Sequence, residues 1–244
     1  MNVYDSSKFW LPKLELSPSL WLRDWIPQTA SIDYNEDLLA PALIGQDCEE
    51  YTRLYYAVQN VLEMAFTGPV FVRTDITSAK HAGKHAYKIE NYNDINDALL
   101  ITLSHAQLKS YHSKVKSSAI LLRKWIQAPA SRTAFGGLAI GNEWRVFADQ
   151  RGVQCAHRYW PKEALFGKMD DRMEPDDNWF QFWIQRDILV AAKNAAKSMG
   201  QLKWSIDFME DQNGKMWLTD MATAMNSYHE PSCEFSQLDN FERI

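Results

Sequence analysis

The chain has 244 residues, 46% hydrophobic and 23% charged, enough to bury a core in one large domain or two small lobes. No run of about 18 apolar residues is present, and no basic N-terminal stretch precedes an apolar one, so neither a membrane span nor a secretory signal is expected. Residues 70–160 hold 13 Lys+Arg and 6 Asp+Glu, net +7, against −12 in the remainder. A basic middle with acidic flanks fits a local anionic ligand better than general nucleic-acid affinity, the alternative being a chance cluster of solvated side chains.

Residues 1–46 contain Pro12, Pro18, Pro27 and Pro41 with several tryptophans, and read as short strands and loops, Pro27-Gln28-Thr29 leading into a strand. From Cys48 to Phe66 the apolar positions Tyr51, Leu54, Tyr55, Val58, Val61, Leu62 and Ala65 follow helical spacing, and Gly68-Pro69 stops the helix. Val70–Thr74 reads as a strand, 75–85 as a polar loop, and 87–89 as its return strand. Residues 93–110 read as a helix with Asn or Asp near its start, and Ala119–Ile126 as a buried strand that turns polar. Residues 142–148 and 153–160 form a hairpin around Gln150-Arg151-Gly152. Residues 161–178 read as an acidic loop, and 180–199 as an amphipathic helix ending near Gly200. Trp204–Phe208 and Trp217–Met221 then form a hairpin through Asn213-Gly214, a strong turn signal between apolar runs. The three cysteines are widely spaced with no C-x-x-C, which fits a reduced, cytoplasmic compartment.

That last hairpin brings Asp207 and Asp220 onto neighbouring strands. Each acid interrupts an apolar strand and needs a reason to be there. A hard divalent cation is one; a turn or a buried hydrogen bond is another. Cations suited to polyphosphate are Arg73, Lys80, Lys84, Lys88, Arg123, Lys124, Arg145 and Arg158. Arg73, Arg123 and Arg145 are the sharper candidates, because each lies within or at the end of an apolar strand, where a charge is costly unless paired. Local carboxylates such as Glu143 are the alternative partners, and lysines of the 80–88 loop are more often simply solvated. No P-loop and no G-x-G-x-x-G after a strand occurs, His81 and His85 lack a third zinc ligand, and no G-x-S-x-G supports Ser227–Glu230 as acyl-transfer machinery.

The order of Pro-Gln-Thr, Val-Phe-Val-Arg-Thr-Asp-Ile-Thr-Ser-Ala-Lys-His, Leu-Leu-Arg-Lys-Trp-Ile, Glu-Trp-Arg-Val-Phe, Ser-Ile-Asp-Phe and Leu-Thr-Asp-Met-Ala resembles the ATP-grasp superfamily from about Pro27 to His229. Small phage-type members and the cell-division-cycle protein 123 group are the most similar. The resemblance implies an α+β, two-lobed ATP-grasp fold with a nucleotide cleft between two antiparallel sheets and a reduced N-terminal pre-domain. It divides the chain into an N-terminal segment (1–46), a first lobe (47–126) and a second lobe with the metal-binding hairpin (127–244). It implies that Arg73, Lys80 and Lys88 meet ATP phosphates, and that Arg123, Lys124, Trp125 and Ile126 lie against adenine. By the same resemblance Arg145 would approach the γ-phosphate or the reacting carboxylate, and Asp207 and Asp220 would hold Mg2+.

The sequence departs from that pattern in its phosphate loop, reduced to Gly83, and in Asp220-Met221-Ala222, where the usual Asn is missing and Asn226 is the substitute. The implied activity is an ATP- and Mg2+-dependent ligation of an unidentified carboxylate to an unidentified amine. The alternatives are a non-ligase ATP-binding assembly factor of the 123 type and a nucleic-acid-directed ligase or modification enzyme; nucleic acid is not favoured, as there is no K-x-D-G. By position, residues 161–178 and the tail after Ser227 are the expected acceptor contacts.

Overall fold

The computed structural model describes residues 6–17, 19–83, 86–129, 133–170 and 184–229, with backbone only for Leu20 and His81. In chain order the elements are α1 (Ser7–Glu15), α2 (Leu20–Arg23), β1 (Thr29–Asp33), α3 (Ala40–Leu43), α4 (Glu49–Ala65), β2 (Val70–Thr74), β3 (Lys88–Ile89), α5 (Ile95–Ser113) and β4 (Ala119–Lys124). Then come β5 (Thr133–Ala134), β6 (Leu138–Ala139), β7 (Glu143–Ala148), β8 (Val153–Arg158), α6 (Lys162–Leu165), α7 (Arg186–Met199), β9 (Trp204–Glu210) and β10 (Met216–Thr223). Their described residues divide into two compact units: the first lies within 28–126 and 135–138, and the second within 6–27, 127–134 and 139–229. No helix among the described residues is long and apolar enough to cross a membrane.

The first unit is an antiparallel sheet ordered β1-β4-β2-β3 with α4 and α5 against one face. Strand alternation decides what each face receives. Ile32, Val70, Val72, Ile120 and Leu122 turn toward Leu54 and Val58 of α4 and Ile95 and Leu99 of α5. α5 is preceded by a 3-10 turn, Tyr92–Asp94, that opens on a capping box: the Asn91 side chain accepts from Asn93 N, and Asp94 Oδ2 accepts from Asn91 N.

The second unit is an antiparallel sheet ordered β10-β9-β7-β8 with α1 and α7 on one face. Ile188, Leu189, Ala191, Ala192, Ala195, Ala196 and Met199 of α7 are buried against Trp144, Val146, Trp204, Ile206, Phe208 and Leu218. The alanines let the helix lie close to the sheet, and Gly200 ends it at φ +90°. The turn between β9 and β10 is as expected, with Gly214 at φ +80°.

The N-terminal stretch differs from its expectation as strands and loops. Residues Ser7–Glu15 are helical with Pro12 inside. Proline in a helix interior forfeits a hydrogen bond, but α1 seats Trp10 and Leu14, both at 0% exposure, in the core of the second unit, and that burial outweighs the local preference. Trp204 stacks on Phe9 of this helix with centroids 6.2 Å apart. The expected helix over 180–199 is Arg186–Met199 in its described part, and the expected acidic loop at 161–178 contains α6. Lys84, His85, residues 171–183 and those from 230 onward lie outside the described residues.

Candidate functional site

The sheet of the second unit puts four chemically capable side chains in one cross-strand row. Asp220 is the direct partner of Asp207, Asp207 of Arg145, and Arg145 of His157. All four fall on the face turned away from α1 and α7, because the flanking residues Val146, Ile206, Met221 and Ala156 occupy the helix-covered face.

The juxtaposition of the two acids depends on a bulge. Counting outward from the Asn213-Gly214 turn in strict register would put Thr219 opposite Asp207 and send Asp220 to the helix side. The register shifts between Leu218 and Asp220, so Thr219 is the extra residue and Asp220 comes out opposite Asp207. The Thr219 hydroxyl donates to Asp207 O at 3.1 Å and holds the bulge. Deleting Thr219 should therefore continue the ladder unbroken with the acids still paired. The expected cost is about 1 kcal/mol for the lost hydrogen bond, or a fall of about 3 °C in thermal midpoint. A collapse in a thermal melt would refute this reading of the bulge.

Arg145 is held from three sides. Its Nε donates to Asp207 Oδ1 at 2.8 Å and Nη2 to Oδ2 at 2.9 Å, a bidentate pair with side chains 14% and 10% exposed. Nη1 donates to the Tyr228 carbonyl at 3.4 Å. The Tyr159 ring lies beneath the guanidinium, 4.6 Å to its centroid. Burial pulls the Arg145 pKa down, but the charge and hydrogen bonds of Asp207 outweigh it and the net direction is up. Arg145 is thus a fixed cation paired with Asp207. Glu143, the suggested local partner, instead accepts from Trp160 Nε1 at 2.7 Å.

Asp207 and Asp220 face each other across paired strands, and carboxylate oxygens are the donors a hard cation takes. Asp207 presents two oxygens with about four lone-pair directions, of which Arg145 uses two. Asp220 Oδ1 accepts from Met221 N at 3.0 Å. Asn226 sits on the turn after β10 with its Nδ2 donating to Thr223 Oγ1 at 2.9 Å. Among the described residues no group of three or more His, Cys, Asp or Glu is disposed around one ion.

In the first unit Arg73, Arg123 and Lys88 share the face opposite α4 and α5. Thr29, Arg123, Phe71 and Lys88 form one row, and Ser31, Leu121 and Arg73 the next. Arg73 and Arg123 are buried; Arg73 Nε donates to Thr74 O at 3.1 Å and Arg123 Nε to Thr29 Oγ1 at 3.3 Å. Lys88 pairs with Glu90 and lies 4.6 Å from the Trp125 ring centroid, while Trp125 stacks on Tyr87 at 6.1 Å. Lys124 alternates to the other face and is exposed, apart from these cations. Lys80 is half-buried on a short turn of helix, and Ile126 is half-buried past the end of β4. Arg158, at the β8 end of the second unit, lies with the Trp144 ring and bonds Asn142 Oδ1 at 2.9 Å.

Sequence reading missed Tyr159 and His157, and it singled out the stretch from Ser227 without its contacts to this row. His157 is buried, with Nδ1 2.7 Å from Arg158 O. His229 meets Phe147 edge-on at 4.8 Å, and its Nε2 is 3.0 Å from the Sγ of Cys155, which is disulfide-bonded and not reduced as the wide cysteine spacing led one to expect. The alternation Arg145, Phe147 against Cys155, His157 on paired strands was the available signal for these neighbours.

No family model matches the chain, and no curated protein matches it. Among solved structures it is similar to C-terminally truncated Cdc123 from Schizosaccharomyces pombe, with TM-score 0.57 and 12% identity over 91% of this chain and 84% of that one. The D-cycloserine synthetase DcsG follows at TM-score 0.48 and 12% identity, over 90% of this chain and 62% of that one. The ATP-grasp ligase PsnB, solved with minimal precursor, Mg and ADP, gives TM-score 0.46 and 14% identity, over 89% of this chain and 50% of that one. At such identities the likeness is one of architecture, and the chain has an ATP-grasp-like fold, as the order of its sequence motifs implied.

Proposed function

We propose that the chain is an ATP- and Mg2+-dependent ligase that joins a carboxylate to an amine. The observation that carries this reading is the row Asp220–Asp207–Arg145, two acids and a locked cation on one sheet face. Asp207, Asp220 and Asn226 would hold Mg2+, which supplies charge neutralisation at phosphate oxygens. Arg145 would offer its outer Nη1 to the transferring phosphoryl group, the rest of its guanidinium being fixed by Asp207. In the first unit, Arg73, Lys80, Lys88 and Arg123 are the proposed phosphate contacts, and Trp125 and Ile126 the adenine contacts, Lys124 being set aside because it lies on the opposite face.

In the proposed reaction a substrate carboxylate oxygen bonds to the γ-phosphorus as the bridging P–O bond to ADP breaks. The amine nitrogen then attacks the acyl carbon, inorganic phosphate leaves with the C–O electrons, and the amine proton passes to phosphate or solvent. The protein contributes orientation and charge placement. The test is ADP release with Mg·ATP across panels of carboxylates and amines. Release that requires both acceptors supports ligation, and the absence of acceptor-dependent release under every pairing overturns it.

Nucleotide binding without ligation is the second reading. It is favoured by the engagement of both Asp207 oxygens with Arg145, which leaves that acid less charge to give a metal. Mg·ATP binding without turnover under any acceptor pairing is its expected result.

Tyr159 should act as a positioning residue. A cation over an aromatic face is worth about 0.5–2 kcal/mol, so Tyr159→Ala should raise the KM for ATP about tenfold while Tyr159→Phe stays within about twofold. Equal KM values in the two variants would remove the role.

A further inference from the structure

The outer donor of Arg145 is occupied by the chain itself. After the turn at Ala224–Asn226, residues 227–229 run back over the face that carries the site. The Tyr228 carbonyl accepts from Arg145 Nη1 at 3.4 Å, a long contact beside the 2.8 and 2.9 Å bonds to Asp207. The segment is seated by its side chains: His229 packs edge-on against Phe147 at 4.8 Å and reaches the Sγ of Cys155, a disulfide-bonded cysteine that stays in place when the seat opens, at 3.0 Å, and the Tyr228 ring meets His157 at 6.4 Å. Its anchors therefore lie in the rows through Phe147 and His157, and Asp207 is left untouched by them.

We infer that residues 227–229 are an autoinhibitory strap. Its carbonyl holds the position on Arg145 that an anionic oxygen of the ligand must take, and binding displaces it. A neutral carbonyl at 3.4 Å is a weak rival to a phosphate oxygen, which makes a shorter, charge-assisted bond. The strap thus lowers the apparent affinity of the free protein without blocking the site outright, because the competent form is only a fraction of the population. The inference rests on the reading of Arg145 as a phosphate-binding cation.

The test uses the full chain and Mg·AMPPNP as probe. His229→Ala removes the seat on Phe147 and leaves every proposed phosphate and metal contact intact. Isothermal titration should show the variant binding about fivefold tighter than wild type, the scale of one lost aromatic contact. Amide exchange in the 224–229 peptide should accelerate when Mg·AMPPNP is added to wild type. Equal affinity with unchanged exchange would overturn the strap and leave the nucleotide reading standing. Weaker binding by His229→Ala would also overturn it, making the segment part of the ligand site. Failure of both proteins to bind at millimolar probe would overturn strap and nucleotide reading together.

Discussion

Replacing Asp207 by Ala is expected to abolish ATP turnover, by at least about a hundredfold, since it removes a proposed metal ligand and the group that aims Arg145. The same change should destabilise the second unit by about 3 kcal/mol, because it leaves a guanidinium that is only 14% exposed without its counter-charge. A companion variant separates the two effects. Arg145→Met combined with Asp207→Leu removes the pair together and fills the space with apolar atoms, so urea unfolding should return most of the lost stability. Turnover should stay absent. If the double variant regained activity along with stability, the pair would be a structural clasp and the functional assignment would fall.

The second large effect is expected in the first unit, at Asp75. Its carboxylate is 2% exposed and accepts from Ser117 Oγ at 2.6 Å, Ser118 N at 3.1 Å, Ser118 Oγ at 3.3 Å and Ala119 N at 3.4 Å. Tyr34 extends the network by donating to Ser117 Oγ at 2.6 Å, and burial pushes its phenol pKa up. Asp75→Asn keeps the shape but turns an NH2 group toward donors. Each buried donor left unsatisfied costs about 1–3 kcal/mol, so a loss of about 3 kcal/mol is expected. The amides of Ser118 and Ala119 should exchange faster, while those of β9 and β10 should keep their protection. A change below about 0.5 kcal/mol, the scale of an ordinary surface substitution, would show that the network does not fasten the strand ends.

Much of the scaffold was legible because local and tertiary preferences agree. The helix over Glu49–Ala65, the strand Val70–Thr74 and both hairpins of the second unit follow from apolar period and from Gly or Asn-Gly punctuation. The first helix was not legible: Pro12 argues against it, and only the fit of Trp10 and Leu14 into a core assembled from distant strands reverses that. The candidate acids could be found because a charge in an apolar strand demands a partner. That Asp207's partner is Arg145 could not, since the pairing joins β7 to β9 across α7. Tyr159 and His157 escaped for the same reason, as did the seat of His229. Each is unremarkable in its own segment and gains meaning from the row it joins.

The bulge at Thr219 also bears on how such a pair can be traced in other chains. A protein with one residue fewer between its acids would present them side by side just as this one does, by an unbroken ladder in place of an interrupted one. A search demanding a set interval between the two carboxylates would pass over such a chain. What is shared is the parity of facing positions on two strands, and that emerges only when the ladder is drawn.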